Sequence, residues 1–211
     1  MLTFGGIVLC GGRSTRMGLD KATLPFGPEL MLQRVVRLLR SVVSPVTVVA
    51  AEDQLLPDLP SEVITTVDQR PDHGPLEGLH AGLLAAQQHV DAVFVTSCDV
   101  PLLRPEFIRR MCALLADYEI VVPVDEKHIH PLAGVYRTCL AAQVRQLLVD
   151  ERFRPLFLIQ ESKSLQIPAD QLREVDPSLS SLSNLNKPSD YLSALKQAGF
   201  QVPEEISSRL N

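Results

Sequence analysis

The sequence predicts an α/β protein: a doubly wound, mostly parallel sheet with helices on both faces. Three strongly apolar runs, 4–10, 46–51 and 92–96, lack the alternation of a sheet with one wet face. Runs that are apolar on both sides are typical of parallel strands covered by helices. Between the runs, apolar residues recur at helical spacing, as in Leu32, Val35, Val36, Leu39 and Val43. Alternating strands and helices predict the doubly wound class.

Further elements follow in chain order. The run 63–67 reads as a strand that ends at Asp68, and Leu76, Leu79, Leu83 and Leu84 form a second helical stripe. Pro105 opens a helix after the strand 92–96, because proline is favoured in a first helical turn. Strands are then expected over 119–124 and 131–137, a helix around Leu140–Leu148, and a last helix from Pro188. The segment 150–184 has no clear pattern.

Composition narrows the class of protein. The chain has 211 residues of ordinary globular composition and is expected to form a single domain over 1–211. Its 20 basic and 25 acidic residues give a net charge of −5, which argues against nucleic acid or an anionic membrane as partner. No run reaches the roughly 20 apolar residues that span a bilayer. Four widely separated cysteines indicate neither disulfides nor zinc, so a cytoplasmic protein is expected.

A glycine-rich polar loop follows the first strand. The segment 11–21 holds three glycines, three basic residues and one acid, for a local charge of +2 in an acidic protein. Glycine amides and cations at the carboxyl end of a buried strand form an anion cradle, so the loop predicts polyphosphate binding. Its spacing fits neither the dinucleotide fingerprint nor the P-loop. The plainer alternative is a tight turn with solvated arginines.

Two acidic residues end buried strands. Asp99 follows the run 92–96 and precedes Val100-Pro101. A buried carboxylate needs hydrogen bonds or a cation, so Asp99 is predicted to bind Mg²⁺ beside the phosphates, with a turn-capping role as the alternative. Asp68 could bind a ribose hydroxyl or a base N–H, but is equally typical of a turn. Neighbouring Cys98 has no recognisable histidine partner and is expected to be a core residue.

The segment 9–21, Leu-Cys-Gly-Gly-Arg-Ser-Thr-Arg-Met-Gly-Leu-Asp-Lys, resembles the signature loop of the molybdenum cofactor nucleotidyltransferases, specifically the guanylyltransferases. Four further segments resemble that family in the same order. They are Asp68 with Gly74–Gly78, the turn Cys98–Pro101, the stretch His130–Arg137, and Ser183–Pro188. Each has a plainer alternative, such as a helix entry for Gly74–Gly78 and a helix start for Asn186. His128 and His130 could also suggest a metal pair, but two ligands without a third are weak evidence.

The resemblance implies a glycosyltransferase-A-like nucleotidyltransferase fold and a set of site residues. Leu9, Cys10, Gly11 and Gly12 would contact the nucleotide together with Asp68. Arg16 and Lys21 would stabilise the β- and γ-phosphates, and Asp99 would hold Mg²⁺ at the α-phosphate. The residues expected to bind the acceptor are His130, Pro131, Asn184 and Asn186.

The implied reaction transfers GMP from GTP to molybdopterin carrying molybdenum and releases pyrophosphate. No general base is required, because the acceptor phosphate is already an anion. Proteins that deliver or receive the cofactor are further expected partners. CTP remains an alternative donor, since the chain reads Val49-Ala50-Ala51 where guanylyltransferases usually carry an asparagine near the base. A catalytically silent nucleotide or cofactor carrier remains the non-enzyme alternative.

Overall fold

The computed structural model describes residues 2–10, 20–68, 74–126 and 128–202. In chain order, the strands of this part are β1 (Phe4–Leu9), β2 (Pro25–Phe26), β3 (Glu29–Leu30), β4 (Val46–Ala51), β5 (Ile64–Asp68), β6 (Ala92–Ser97), β7 (Ile120–Val124), β8 (Gly134–Arg137) and β9 (Ser164–Pro168). The α-helices there are α1 (Met31–Arg40), α2 (Pro75–Ala86), α3 (Pro105–Ala113), α4 (Ala141–Val149), α5 (Pro155–Glu161) and α6 (Pro188–Gln197).

Seven of these strands form one sheet in the order β5-β4-β1-β6-β8-β7-β9. The strands β5, β4, β1 and β6 run parallel, and so do β7 and β9, whereas β8 is antiparallel to both of its neighbours. The register pairs Leu9 with Ser97 and Ala51 with Asp68. The predicted mostly parallel sheet is therefore confirmed, with β6 at its centre and β1 beside it.

Helices cover both faces of the sheet, as predicted. Successive residues of a strand point to opposite faces, so Val8 packs with α1 and α3 while Ile7 and Leu9 pack with α2, α4 and α5. Burial on both sides explains why β1, β4 and β6 are continuous apolar runs.

A third apolar cluster joins α6 to the β2–β3 hairpin. Phe26 and Tyr191 are fully buried there with their rings edge to face, and the Tyr191 hydroxyl donates a hydrogen bond to the Pro25 carbonyl oxygen. Because Lys21–Thr23 leads directly into this hairpin, the cluster places the start of α6 beside Lys21.

Two expectations need correction. The strand expected over 131–137 begins only at Gly134, because Pro131–Ala133 forms a 3₁₀ turn and proline has no N–H for the sheet ladder. The segment 150–184, where no pattern was recognised, contains α5 and the edge strand β9. No helix within the described ranges is both long and apolar enough to cross a membrane.

Candidate active site

The candidate site lies at the carboxyl edge of the parallel strands. Pairing in register brings the ends of β1, β4, β5 and β6 to this edge together. The antiparallel strand β8 starts there, since Gly134 pairs with Val95, so the turn 131–133 contacts β6 at the same edge. Ligands of doubly wound sheets bind at this edge, where the strand order reverses.

Asp99 is the centre of a connected group of polar side chains. Its Oδ2 accepts a hydrogen bond from the Lys21 ammonium at 2.7 Å. Its Oδ1 accepts one from the Ser97 hydroxyl at 2.5 Å and one from the Asn184 amide at 2.8 Å. The Lys21 and Asp99 side chains are only 18% and 10% exposed, so a nearly buried carboxylate is neutralised by a cation and satisfied by two neutral donors.

Lys21 is held by local structure and by a distant segment. Asp20 caps the 3₁₀ turn Lys21–Thr23 by accepting a hydrogen bond from the Ala22 N–H at 2.9 Å. The Lys21 ammonium also donates to the Asn186 side-chain oxygen at 3.2 Å. The cation therefore stands between β6 and the start of α6.

The segment 184–187 is fastened to Asp99 along its backbone. The Leu185 N–H donates to the Asp99 carbonyl oxygen at 3.0 Å. The N–H groups of Asn186 and Lys187 donate to the Asp190 carboxylate in the first turn of α6, at 3.0 and 2.9 Å. The structure thus brings Asn184 and Asn186 to Asp99 and Lys21, while their role in binding an acceptor stays a prediction.

The donor set around Asp99 fits a magnesium ion that is shared with a polyphosphate. A carboxylate oxygen is a preferred Mg²⁺ ligand, and Mg²⁺ is commonly bound by one or two carboxylates plus substrate phosphates. Within the described ranges, no three His, Cys, Asp or Glu side chains group closely enough to hold a metal ion alone. The site therefore suits a metal–nucleotide complex better than an independent metal ion.

Asp68 lies at the other end of the edge. It ends β5, pairs with Ala51 and is 6% exposed. Its Oδ2 lies 3.8 Å from the point where a Cβ on Gly78 would stand, and the Leu9 side chain lies 3.4 Å from the same point. A side chain at position 78 would therefore stand in contact with both Leu9 and Asp68, at the ends of β1 and β5.

Gln54, just beyond β4, was not recognised in the sequence. Its Oε1 accepts a hydrogen bond from the Ala51 N–H at 3.3 Å, and its Nε2 donates to the two Asp20 carboxylate oxygens at 3.3 and 3.4 Å. Ser97 was missed as well, although a polar residue at the end of an apolar run, two positions before Asp99, was a signal for it. The contact of Gln54 with Asp20 depends on how distant segments meet, whereas that of Ser97 with Asp99 is local.

Cys10 and Cys98 lie side by side directly after β1 and β6, and both are buried. A hydrogen bond with Cys98, reinforced by burial, raises the pKa of the Cys10 thiol well above its usual range. A neutral, buried thiol is a poor nucleophile, and the burial of Cys98 fits the core role predicted for it. The nucleotide contact of Cys10 stays a prediction.

The predicted acceptor residues His130 and Pro131 lie before β8. The His130 Nε2 is 2.9 Å from the Asp125 carboxylate, and His128 also faces Asp125, with its Nδ1 at 3.8 Å. The Pro131 carbonyl oxygen accepts a hydrogen bond from the Tyr136 hydroxyl at 2.8 Å. The predicted site residues Gly11, Gly12 and Arg16 lie outside the described residues.

Comparison with known proteins places the chain in a family. The sequence model of the MobA-like NTP transferase domain matches residues 6–165. A Mycobacterium tuberculosis protein named "Probable molybdenum cofactor guanylyltransferase" is 40% identical over 167 residues, which cover 77% of this chain and 82% of that protein. A Mycobacterium avium protein of the same name is 38% identical over 202 residues, covering 93% and 97%.

A solved structure supports the fold. Molybdopterin-guanine dinucleotide biosynthesis protein A from Archaeoglobus fulgidus superposes with a TM-score of 0.76 at 19% identity, covering 92% of this chain and 98% of that one. Sequence match, curated relatives and fold agree, and the chain belongs to the MobA-like NTP transferase family.

Proposed function

We propose that this protein is a molybdenum cofactor guanylyltransferase. It transfers GMP from GTP to the phosphate of molybdopterin carrying molybdenum, which gives the guanine dinucleotide form of the cofactor and pyrophosphate. The observation that carries the proposal is the contact of Lys21 with Asp99, 2.7 Å apart at the carboxyl edge of β1 and β6. Family membership and the names of the relatives supply the acceptor and the base.

The reaction is an in-line displacement at the α-phosphorus of GTP. An oxygen of the acceptor phosphate forms a bond to this phosphorus, and the bond from the α-phosphorus to the oxygen bridging to the β-phosphate breaks. Pyrophosphate leaves with that oxygen and its electron pair. The protein's work in such a transfer is positioning and charge stabilisation rather than covalent chemistry.

Lys21 supplies positive charge for the departing pyrophosphate. Its ammonium is nearly buried but keeps one exposed side, so it can contact the β- and γ-phosphates from its place beside Asp99. Arg16 and the amides of Gly11 and Gly12 would add donors to the same phosphates. A preorganised cation stabilises developing charge more strongly than water does, because it needs no reorganisation.

Asp99 would hold a magnesium ion through its carboxylate. When bound, Mg²⁺ lowers the negative charge on the α-phosphate and the leaving phosphate oxygens. Ser97 and Asn184 keep the carboxylate in a fixed orientation by donating hydrogen bonds to Oδ1. Asp99 and Lys21 thus act on the same triphosphate from adjacent sides.

The nucleoside would extend from β1 towards β5. In this placement Asp68 accepts from the ribose hydroxyls, and Gln54 with Asp20 lies where polar base edges can be bound. GTP is the proposed donor and CTP the alternative. The acceptor would enter from the side of His130 and Pro131, next to Asn184 and Asn186. The cytoplasmic location and the partner proteins stay predictions.

The test is an assay of the full chain with GTP, Mg²⁺ and molybdenum-loaded molybdopterin. We expect Mg²⁺-dependent release of pyrophosphate together with the guanine dinucleotide, and a loss of at least about 100-fold in kcat for Asp99→Ala. Asp91→Asn is a matched control, because Asp91 lies at the opposite end of β6 and binds Thr3. Undiminished activity of Asp99→Ala would refute the role of Asp99 in holding Mg²⁺, and a preference for CTP would refute GTP as the donor.

A further inference from the structure

We propose that Ser97 is a positioning residue, which occupies one oxygen of the Asp99 carboxylate so that the other is presented to a divalent cation. The inference rests on the proposed function and deepens it. It concerns a side chain outside the glycine loop, whose hydroxyl is engaged by Asp99.

Three short contacts form a closed triangle at Oδ1 of Asp99. The Ser97 hydroxyl donates to this oxygen at 2.5 Å, and the Asn184 amide donates to it at 2.8 Å. The same amide nitrogen donates to the Ser97 hydroxyl oxygen at 3.0 Å. Because that oxygen accepts from Asn184, its single proton is directed to Asp99.

The triangle gives the two carboxylate oxygens of Asp99 different hydrogen-bond partners. Oδ1 receives two neutral donors, whereas among the described residues Oδ2 receives only the Lys21 ammonium. Because a carboxylate oxygen has about two acceptor sites, a cation that approaches Asp99 would bind at the site that Oδ2 keeps beside the Lys21 ammonium.

Ser97 is the rigid member of the pair of donors. It ends β6, pairs with Leu9 in the centre of the sheet and is 9% exposed, whereas Asn184 lies in an exposed connection before α6. Asp99 follows in the turn directly after β6, so Ser97 reaches its carboxylate through a local contact from the last residue of the strand. Partners of metal ligands commonly contribute 10- to 100-fold to metal affinity by fixing ligand orientation.

The test compares nucleotide affinity with and without metal in the full chain. The probes are a GTP analogue with a methylene bridge between its α- and β-phosphates, which cannot be cleaved there, and Mn²⁺, whose binding is also followed by electron paramagnetic resonance. Adding Mn²⁺ should increase the affinity for the analogue, and we expect this gain to be about tenfold smaller in Ser97→Ala. Affinity without metal should stay within about twofold, because Ser97 does not touch the nucleotide.

Two variants separate positioning from general stability. Ser97→Thr keeps the hydroxyl and should restore the gain. Thr138→Val removes another buried hydroxyl, which donates to the Val90 carbonyl oxygen at 2.9 Å at the opposite edge of the sheet. We expect Thr138→Val and Ser97→Ala both to lower the melting temperature by a few degrees. Thr138→Val should nevertheless leave the Mn²⁺-dependent gain in affinity unchanged. Asn184→Ala tests the same oxygen from outside the sheet and should also reduce the gain.

The outcomes are distinct. A full Mn²⁺ gain in folded Ser97→Ala, or an equal loss in Thr138→Val, would overturn the role of Ser97 and leave the proposed function intact. No Mn²⁺ gain in the unaltered protein would overturn the metal role of Asp99 and the inference with it.

Discussion

The two ends of the candidate site are built differently. At the β6 end, Asp99 is held by side chains from three separate parts of the chain at 2.5 to 2.8 Å. At the β4 end, Gln54 reaches Asp20 and the Ala51 N–H at 3.3 to 3.4 Å. Short hydrogen bonds fix position, whereas long ones are weaker and adjust easily. The β6 end therefore suits the chemical step and the β4 end suits selective binding of the nucleoside.

The β6 end also depends on a part of the chain beyond the matched family region. The family model ends at residue 165, yet Asn184 and Asn186 contact Asp99 and Lys21. Packing of α6 against the β2–β3 hairpin brings both segments together, because Tyr191 is buried against Phe26. The C-terminal helix is thus part of the support of the site.

Loss of the Lys21 charge, at the β6 end of the site, should have the largest effect on activity. We expect Lys21→Gln to lower kcat/KM about 100- to 1,000-fold, because the variant removes a preorganised cation from the phosphates. Steady-state pyrophosphate release measures the effect. Lys196→Gln, which changes an exposed lysine in α6, is the control. A loss below about fivefold would show that the charge of Lys21 is not required and that the two ends contribute alike.

Two glycines of α2, Gly78 and Gly82, provide a matched pair of substitutions that tests the end of the site near Asp68. A Cβ on Gly82 would stand 2.8 Å from the Cδ1 of the fully buried Ile7, so Gly82→Ala should destabilise the fold by about 1–3 kcal/mol. On Gly78 the nearest atoms are ordinary contacts, Leu9 at 3.4 Å and Asp68 at 3.8 Å. Gly78→Ala should therefore keep the melting temperature.

The same Gly78→Ala variant should raise the KM for GTP several-fold, because its methyl group would stand beside Asp68, where the nucleoside is proposed to bind. Thermal melting and steady-state kinetics of both variants give the comparison. An unchanged KM in Gly78→Ala would move the nucleoside away from Asp68.

The sequence predicted the parts of the fold that burial marks clearly. The strands β1, β4 and β6 are buried on both sides, so each is a continuous apolar run. The strand β9 was missed because it lies at the sheet edge, where Ser-Leu-Gln-Ile-Pro is largely uncovered and resembles a loop. The start of β8 was misplaced because the residues before Gly134 are compatible with a strand in all but Pro131.

The sequence predicted the candidate site about as completely as it predicted the fold. Asp99 and Lys21 were recognised because a carboxylate after a buried strand and a cation after a glycine loop each indicate a chemistry. Their direct contact joins residues 78 positions apart, and the contact of Asn184 with Asp99 joins residues 85 apart. The sequence placed Asp99 beside the glycine loop, and pairing of β1 with β6 brings the two ends together. The contact of Asn184 follows from how α6 packs on the hairpin, which one sequence does not reveal. Gln54 was missed because its contact with Asp20 also joins distant segments.

The smallest expected effect concerns Gln54 and sharpens the contrast between the two ends. Gln54→Ala removes contacts of 3.3 to 3.4 Å and leaves Asp99 and Lys21 untouched, so we expect the KM for GTP to rise about threefold with kcat unchanged. Competition between GTP and CTP shows whether the lost affinity depends on the base. Gln33→Ala is the control, because its amide donates to the Asp58 carbonyl oxygen beside α1. A fall in kcat would mean that Gln54 acts through Asp20 on Lys21, and the two ends would then work as one unit.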